Sequence, residues 1–91
     1  MSADPIPVLP RGTRLHHDSV RGAMVLLAPE KALILDEIGA AILSAVDGSA
    51  RLSTIVARLA ARYDAPLAEV AGDCAEFLRG LAADRVIDLH D

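Results

Sequence analysis

The spacing of apolar positions changes once along this chain, and the change separates strands from helices. Arg14 to Asp18 and Ala23 to Ala28 read as two strands joined through Ser19-Val20-Arg21-Gly22. Pro29-Glu30-Lys31 then turns the chain into a third strand at Ala32 to Leu35. Successive strand side chains point to opposite faces. The runs Val25-Leu26-Leu27 and Leu33-Ile34-Leu35 therefore put aliphatic groups on both sides of the sheet. Helices made from the rest of the chain can cover one face. The other face, or the sheet edge, is left for a partner.

Beyond the third strand the apolar period rises to about 3.6 residues. Leu35, Ile38, Ile42 and Val46 form the stripe of a first helix, with Asp36 placed to cap it and Asp47-Gly48 to end it. A second helix begins at Ser53 and buries Leu52, Ile55, Val56, Leu59 and Tyr63. Asp64-Ala65 breaks the chain, and Pro66 suits the first turn of a third helix. That helix presents Leu67, Val70, Cys74, Phe77, Leu78 and Leu81 on one face. Arg85 to Leu89 reads either as a short terminal strand or as an irregular end.

Residues 1–13 read as a proline-rich extended arm, because Pro5, Pro7 and Pro10 each remove a donor and disfavour helix. Ile6, Val8 and Leu9 give that arm side chains able to pack on a neighbour. Residues 14–91 form one domain. The order of elements predicts an α+β fold: a three-stranded antiparallel β-meander followed by a three-helix bundle, in a winged-helix-like layout.

Composition narrows the picture. The chain has 91 residues, 53% of them hydrophobic but only 2% aromatic, so its core must be Leu, Ile, Val and Ala. A domain this small bears a real stability cost for any aliphatic group left exposed. The longest apolar stretch, Ala23 to Pro29, is far short of the roughly 20 residues that span a bilayer. The N-terminus lacks the basic-then-apolar pattern of a signal peptide, and Cys74 is the single cysteine. These features predict a cytoplasmic protein with no membrane partner and no internal disulfide.

Candidate chemistry is sparse. His16 and His17 are adjacent in a strand, so their rings should point to opposite faces and not chelate one metal. His90 lies far away in the tail, and no Cys/His spacing suits a metal. Cys74 falls on an apolar helical face, where a cysteine acts as a small hydrophobe. Asp73 and Glu76 lie near one another on the third helix, but paired carboxylates on an amphipathic helix are usually solvated. Asp73 abuts the Val70–Cys74–Phe77 stripe and so can meet a partner's amide or cation. There is no phosphate-binding glycine loop. The pattern predicts no catalytic residue, no metal and no cofactor.

Charge decides between two binding readings. The net charge is −4; residues 1–35 carry +1 and residues 65–91 carry −4. In a winged-helix DNA regulator the third helix would enter the groove. Here it offers Glu69, Asp73 and Glu76 against Arg79 alone, which opposes phosphate binding. β-Augmentation fits better: an extended peptide adds to the edge strand, Lys31, Ala32, Leu33, Ile34 and Leu35. Its side chains would drop into a groove walled by Leu33, Val70, Cys74 and Phe77, with Asp73 at the rim. The same edge is also suited to pairing with a second copy, giving a homodimer.

Several segments carry a family resemblance. RLHHD, the block RG-x-M-VLLAPE followed by LD, ILDEIGAAIL, DG, IVARLAARYDAP and D-C-A-E-FL-RGLA together resemble the PqqD family of pyrroloquinoline quinone (PQQ) biosynthesis, across about residues 11–87. The RG-x-x-VLLAPE block is the most specific part. The resemblance implies a winged-helix-like recognition element without catalytic role or cofactor. Such an element binds the ribosomally made precursor peptide PqqA and presents it to the radical-SAM enzyme PqqE, which joins a glutamate to a tyrosine. It further implies that the peptide is clamped between the third strand and the third helix, here Lys31 to Leu35 and the Val70–Phe77 face. With so acidic a third helix, the chain should retain no duplex DNA in a gel-shift assay even in dilute buffer. Salt-sensitive retention would restore the regulator reading.

Overall fold

A computed structural model describes residues 4–91, so the first three residues of the expected arm lie outside the described residues. The elements run β1 (Ile6–Val8), β2 (Arg14–Asp18), β3 (Ala23–Ala28), β4 (Lys31–Ile34), α1 (Glu37–Ser44), α2 (Leu52–Tyr63), α3 (Leu67–Ala83) and β5 (Asp88–His90). Three helices and two antiparallel sheets make an α+β fold.

The larger sheet has the order β2-β3-β4. Its register aligns Leu15 with Leu26 and Leu26 with Leu33, and this row faces the helices. Leu26, on the central strand, is 0% exposed. At the β2–β3 turn the Asp18 carboxylate accepts from the N–H groups of Val20 (3.0 Å) and Arg21 (3.2 Å), an Asx-type closure. Gly22 completes it at φ +66°, a left-handed conformation that a side chain resists. β4 is displaced by one residue from the predicted Ala32 to Leu35. Lys31 pairs with Ala28, which leaves only Pro29 and Glu30 in the turn. Leu35 lies beyond the strand, yet its N–H still donates to the Met24 carbonyl at 2.9 Å.

The cap on α1 forms as its sequence predicts: the Asp36 carboxylate accepts from the Gly39 N–H at 2.7 Å. The helix ends at Ser44, short of the expected Asp47-Gly48. Ala45 and Val46 donate to carbonyls three residues back, which tightens the last turn. The helix buries Gly39, Ile42 and Leu43; of the predicted stripe Leu35 and Ile42 are buried and Val46 is half-buried, but Ile38 is 63% exposed. The reason is Gly39. Its missing side chain lets the Phe77 ring approach, and the helix turns that face inward.

Two further stripe residues depart from expectation. Tyr63, at the end of α2, is 52% exposed, and Leu67, at the start of α3, is 59% exposed. Both flank the α2–α3 turn, where too few elements remain to cover them. That turn is closed by Asp64 in the left-handed region and by the Ala65 N–H donating to Ala60 at 3.0 Å. Pro66 stands at the N-cap of α3, one residue earlier than predicted. Elsewhere the stripe residues are buried or half-buried, and Ile42, Ile55, Leu59, Cys74 and Leu78 share one core cluster with Leu26 and Leu43.

The chain ends meet in the second sheet. β1 pairs with β5 in the register Ile6 with His90, Pro7 with Leu89 and Val8 with Asp88. Residues 6–8 of the predicted arm are thus docked as a strand. Pro7 is fully buried there; a ribbon edge tolerates proline because alternate N–H groups go unpaired. The same segment caps α2, whose own N-cap residue, Arg51, supplies no side-chain bond. Asp4 accepts from the Ser53 N–H (2.7 Å) and hydroxyl (2.8 Å), and the Leu52 N–H donates to the Pro5 carbonyl at 2.8 Å.

The Ser53 N–H bond, then the Ser53 hydroxyl and the Arg51 charge, hold the Asp4 carboxyl below its usual pKa. A lowered folded-state pKa stabilises the fold above the ordinary carboxylate value and stops doing so as pH falls through the folded one. Asp4→Asn should therefore lower Tm at pH 7, and the deficit should close below about pH 3.8, as followed by circular dichroism.

Candidate functional site

β4 offers an open edge. Among the described residues it pairs only with β3. In an antiparallel ladder alternate residues aim their backbone groups at the partner strand. The Leu35–Met24 bond sets that alternation, so Leu33 and Lys31 face β3 while Ala32 and Ile34 point their N–H and C=O groups outward. The two outward residues also carry their side chains on the face away from the helices. Ala32 is exposed and Ile34 is 59% exposed. Val25, between His16 and Ile34 in register, is nonetheless buried, so this outer face is only partly open.

Beyond the end of β4 lies an apolar groove of about 360 Å³ between α1, α2 and α3. Ile42, Leu59 and the buried Cys74 form its floor, and Ile38, Ala41, Tyr63, Ala65 and Val70 its walls. Glu37 on α1 and Asp73 on α3 are its two carboxylates. Burial and, secondarily, the Asp73 charge push the Cys74 thiol above its usual pKa. That disfavours thiolate, so Cys74 serves the groove as packing rather than as a nucleophile. Among the described residues, no group of three or more His, Cys, Asp or Glu side chains could hold a metal.

The nine residues predicted to bind therefore separate into three groups, with Phe77 apart. Lys31, Ala32 and Ile34 lie on the open edge. Val70, Asp73 and Cys74 line the groove. Leu33 and Leu35 turn toward the core, with Leu35 buried. Phe77 is half-buried and touches the start of α1: a Cβ built at Gly39 would meet its Cζ at 3.1 Å and the Asp36 carboxylate at 3.1 Å. Sequence reasoning missed Glu37, Ile38, Ala41, Ile42, Leu59, Tyr63 and Ala65 as groove residues. The available signal was Gly39. A glycine where a helical stripe calls for bulk marks close approach by another element.

Together the fold and the site define a small α+β domain with an open strand edge and an apolar helical groove beyond it. The model of the family described as "Coenzyme PQQ synthesis protein D (PqqD)" matches residues 23–87. A "PqqA binding protein" of Rhizobium meliloti is 43% identical over 89 residues, which cover 98% of this chain and 91% of that protein. A "Bifunctional coenzyme PQQ synthesis protein C/D" of Methylorubrum extorquens is 44% identical over 87 residues, 96% of this chain but 23% of that protein. The solution NMR structure of the PqqD truncation of Methylobacterium extorquens PqqCD superposes with a TM-score of 0.82 at 43% identity, covering 97% of this chain and 93% of that one. That truncation is described as a functional, stand-alone recognition element for ribosomally synthesized and post-translationally modified peptides (RiPPs). The chain belongs to the PqqD family.

The Gly39–Phe77 contact can be tested by filling it. Overpacking costs about 1–3 kcal/mol, against about 1 kcal/mol that alanine gains over glycine in a helix. Gly39→Ala should therefore lower stability by about 1 kcal/mol in urea unfolding and shift the Phe77 ring resonances.

Proposed function

We propose that this chain binds the precursor peptide PqqA by strand addition to the open edge of β4, beside α3, and presents it to the radical-SAM enzyme PqqE for Glu–Tyr cross-linking. In this reading the chain is a winged-helix-like recognition element of the cytoplasm, not an enzyme, and it uses no cofactor. The observation that carries the reading is the outward backbone of Ala32 and Ile34 on an edge whose aliphatic side chain, Ile34, stays in water. An edge strand of this kind is a ready template for another chain. The relatives' names supply the identity of that chain: they are PqqA binding proteins. Lys31 and Asp36, on either side of the strand's exposed residues, oppose uncontrolled self-pairing.

The binding residues in this reading are Lys31 to Leu35, with Val70, Asp73, Cys74 and Phe77 from α3. Leu33, Leu35 and Cys74 act from beneath, by holding the edge and the groove floor in shape. Titration of PqqA into isotope-labelled protein should move the amides of residues 31–36 and of α3. Shifts confined to α1 and α2 would overturn the assignment. Ala32→Pro removes an outward N–H and spares the ladder to β3. It should weaken binding at least about tenfold in calorimetry while the protein stays folded, since it removes one backbone bond worth about 0.5–1.5 kcal/mol and obstructs its neighbours. Sedimentation with and without the peptide distinguishes peptide capture from self-pairing of the same edge.

A further inference from the structure

The groove between α1 and α3 has a chemical bias that strand addition does not use. Its walls are aliphatic, yet Glu37 on one helix and Asp73 on another both line it. Both carboxylate residues are exposed, and among the described residues neither is in a salt bridge. Among the described residues no lysine or arginine lines the groove, and the neighbouring Arg62 stacks over the ring of Tyr63 at 5.5 Å. Ile38 and Tyr63, which line it, leave apolar surface in water. An apolar channel with negative charge on two walls suits one kind of side chain: a long aliphatic stem ending in a cation.

We infer that the groove is a subsite for a lysine or arginine of the precursor peptide. The stem lies along Ile38 and Val70, and the head group lies toward the carboxylates of Glu37 and Asp73. This rests on the peptide-binding reading above and adds a sequence preference to it. Burial of the stem with the charge kept at the mouth is the usual way such side chains cover apolar surface. The same two carboxylates that attract a cation repel a glutamate or aspartate at that peptide position. The volume, about 360 Å³, is ample for one such side chain.

The test measures the affinity of fluorescently labelled PqqA, encoded with this chain, for wild-type protein and for the Glu37→Gln/Asp73→Asn double variant. Thermal melts check that both proteins are folded. Each exposed ion pair is worth about 0.2–1 kcal/mol, about 1.4- to fivefold in Kd. The double variant should bind about three- to tenfold more weakly at low salt, and the gap should narrow at high salt. A peptide with its lysines and arginines replaced by glutamine should weaken binding to wild type by a similar factor and be indifferent to the double variant. Equal affinity of PqqA for the two proteins would overturn the subsite while leaving strand addition intact. Failure of wild-type protein to bind PqqA at all would overturn both.

Discussion

The burial of Leu26 organises this domain. Among the described residues β3 is the one strand with neighbours on both sides, and its Leu26 is fully out of water. Once Leu26 faces the helices, parity decides the rest of the sheet. Leu15 and Leu33 share its face, while Val25 and Ile34 take the other. In an antiparallel ladder the same parity governs the direction of the backbone groups. The Ile34 side chain, which the core cannot use, therefore sits on a residue whose N–H and C=O point away from the sheet. One apolar residue in the core thus dictates which atoms are left for a partner.

The helices follow from the same shortage of material. With 91 residues, the chain cannot cover both faces of the sheet or close every helical gap. Leu26 draws α1, α2 and α3 onto one face, where Ile42, Ile55 and Leu78 meet it. Of the large apolar residues left in water, Ile38 and Tyr63 line the groove, Leu67 lies at the start of α3, Ile34 is on the β4 edge and Val20 is in the β2–β3 turn. Exposed aliphatic groups gathered at one place mark an interaction site more than singly scattered ones do. The termini supply what the helices lack. The β1–β5 ribbon ties both ends of the chain together, and Asp4 caps a helix that has no cap of its own.

Local regularities were legible in the sequence, and distant pairings were not. β2, β3 and the Asp36 cap depend on residues within a few positions of each other, and each forms as its spacing predicts. The family was legible too, from the block around residues 21–30. The β1–β5 pairing was not, because three prolines in the first ten residues argue against structure, and nothing local announces a partner at the far end. The Asp4–Ser53 cap spans 49 positions and leaves no periodic trace. Ile38 shows a different limit. Periodicity finds a stripe of apolar residues, but a helix of eight residues has room to rotate it, and the Phe77 ring against Gly39 sets that rotation. The proposed binding residues on β4 and α3 were chosen by face and period. The structure separates them into an edge, a groove and a supporting layer.

Energetics bear on how tightly such an edge can hold a peptide. Ala32 and Ile34 together present two donors and two acceptors. At about 0.5–1.5 kcal/mol net for each bond, four bonds contribute about 2–6 kcal/mol. Ordering a disordered segment costs about 2–5 kcal/mol or more, so the backbone alone leaves little surplus. Apolar contact with Ile34, Ile38 and Val70 must supply most of the affinity, and it is available because these side chains are already partly in water. A binding energy divided between an edge that recognises any extended chain and a groove that recognises particular side chains separates attachment from selection. It also keeps such a complex reversible, as the proposed presentation of the peptide to an enzyme requires.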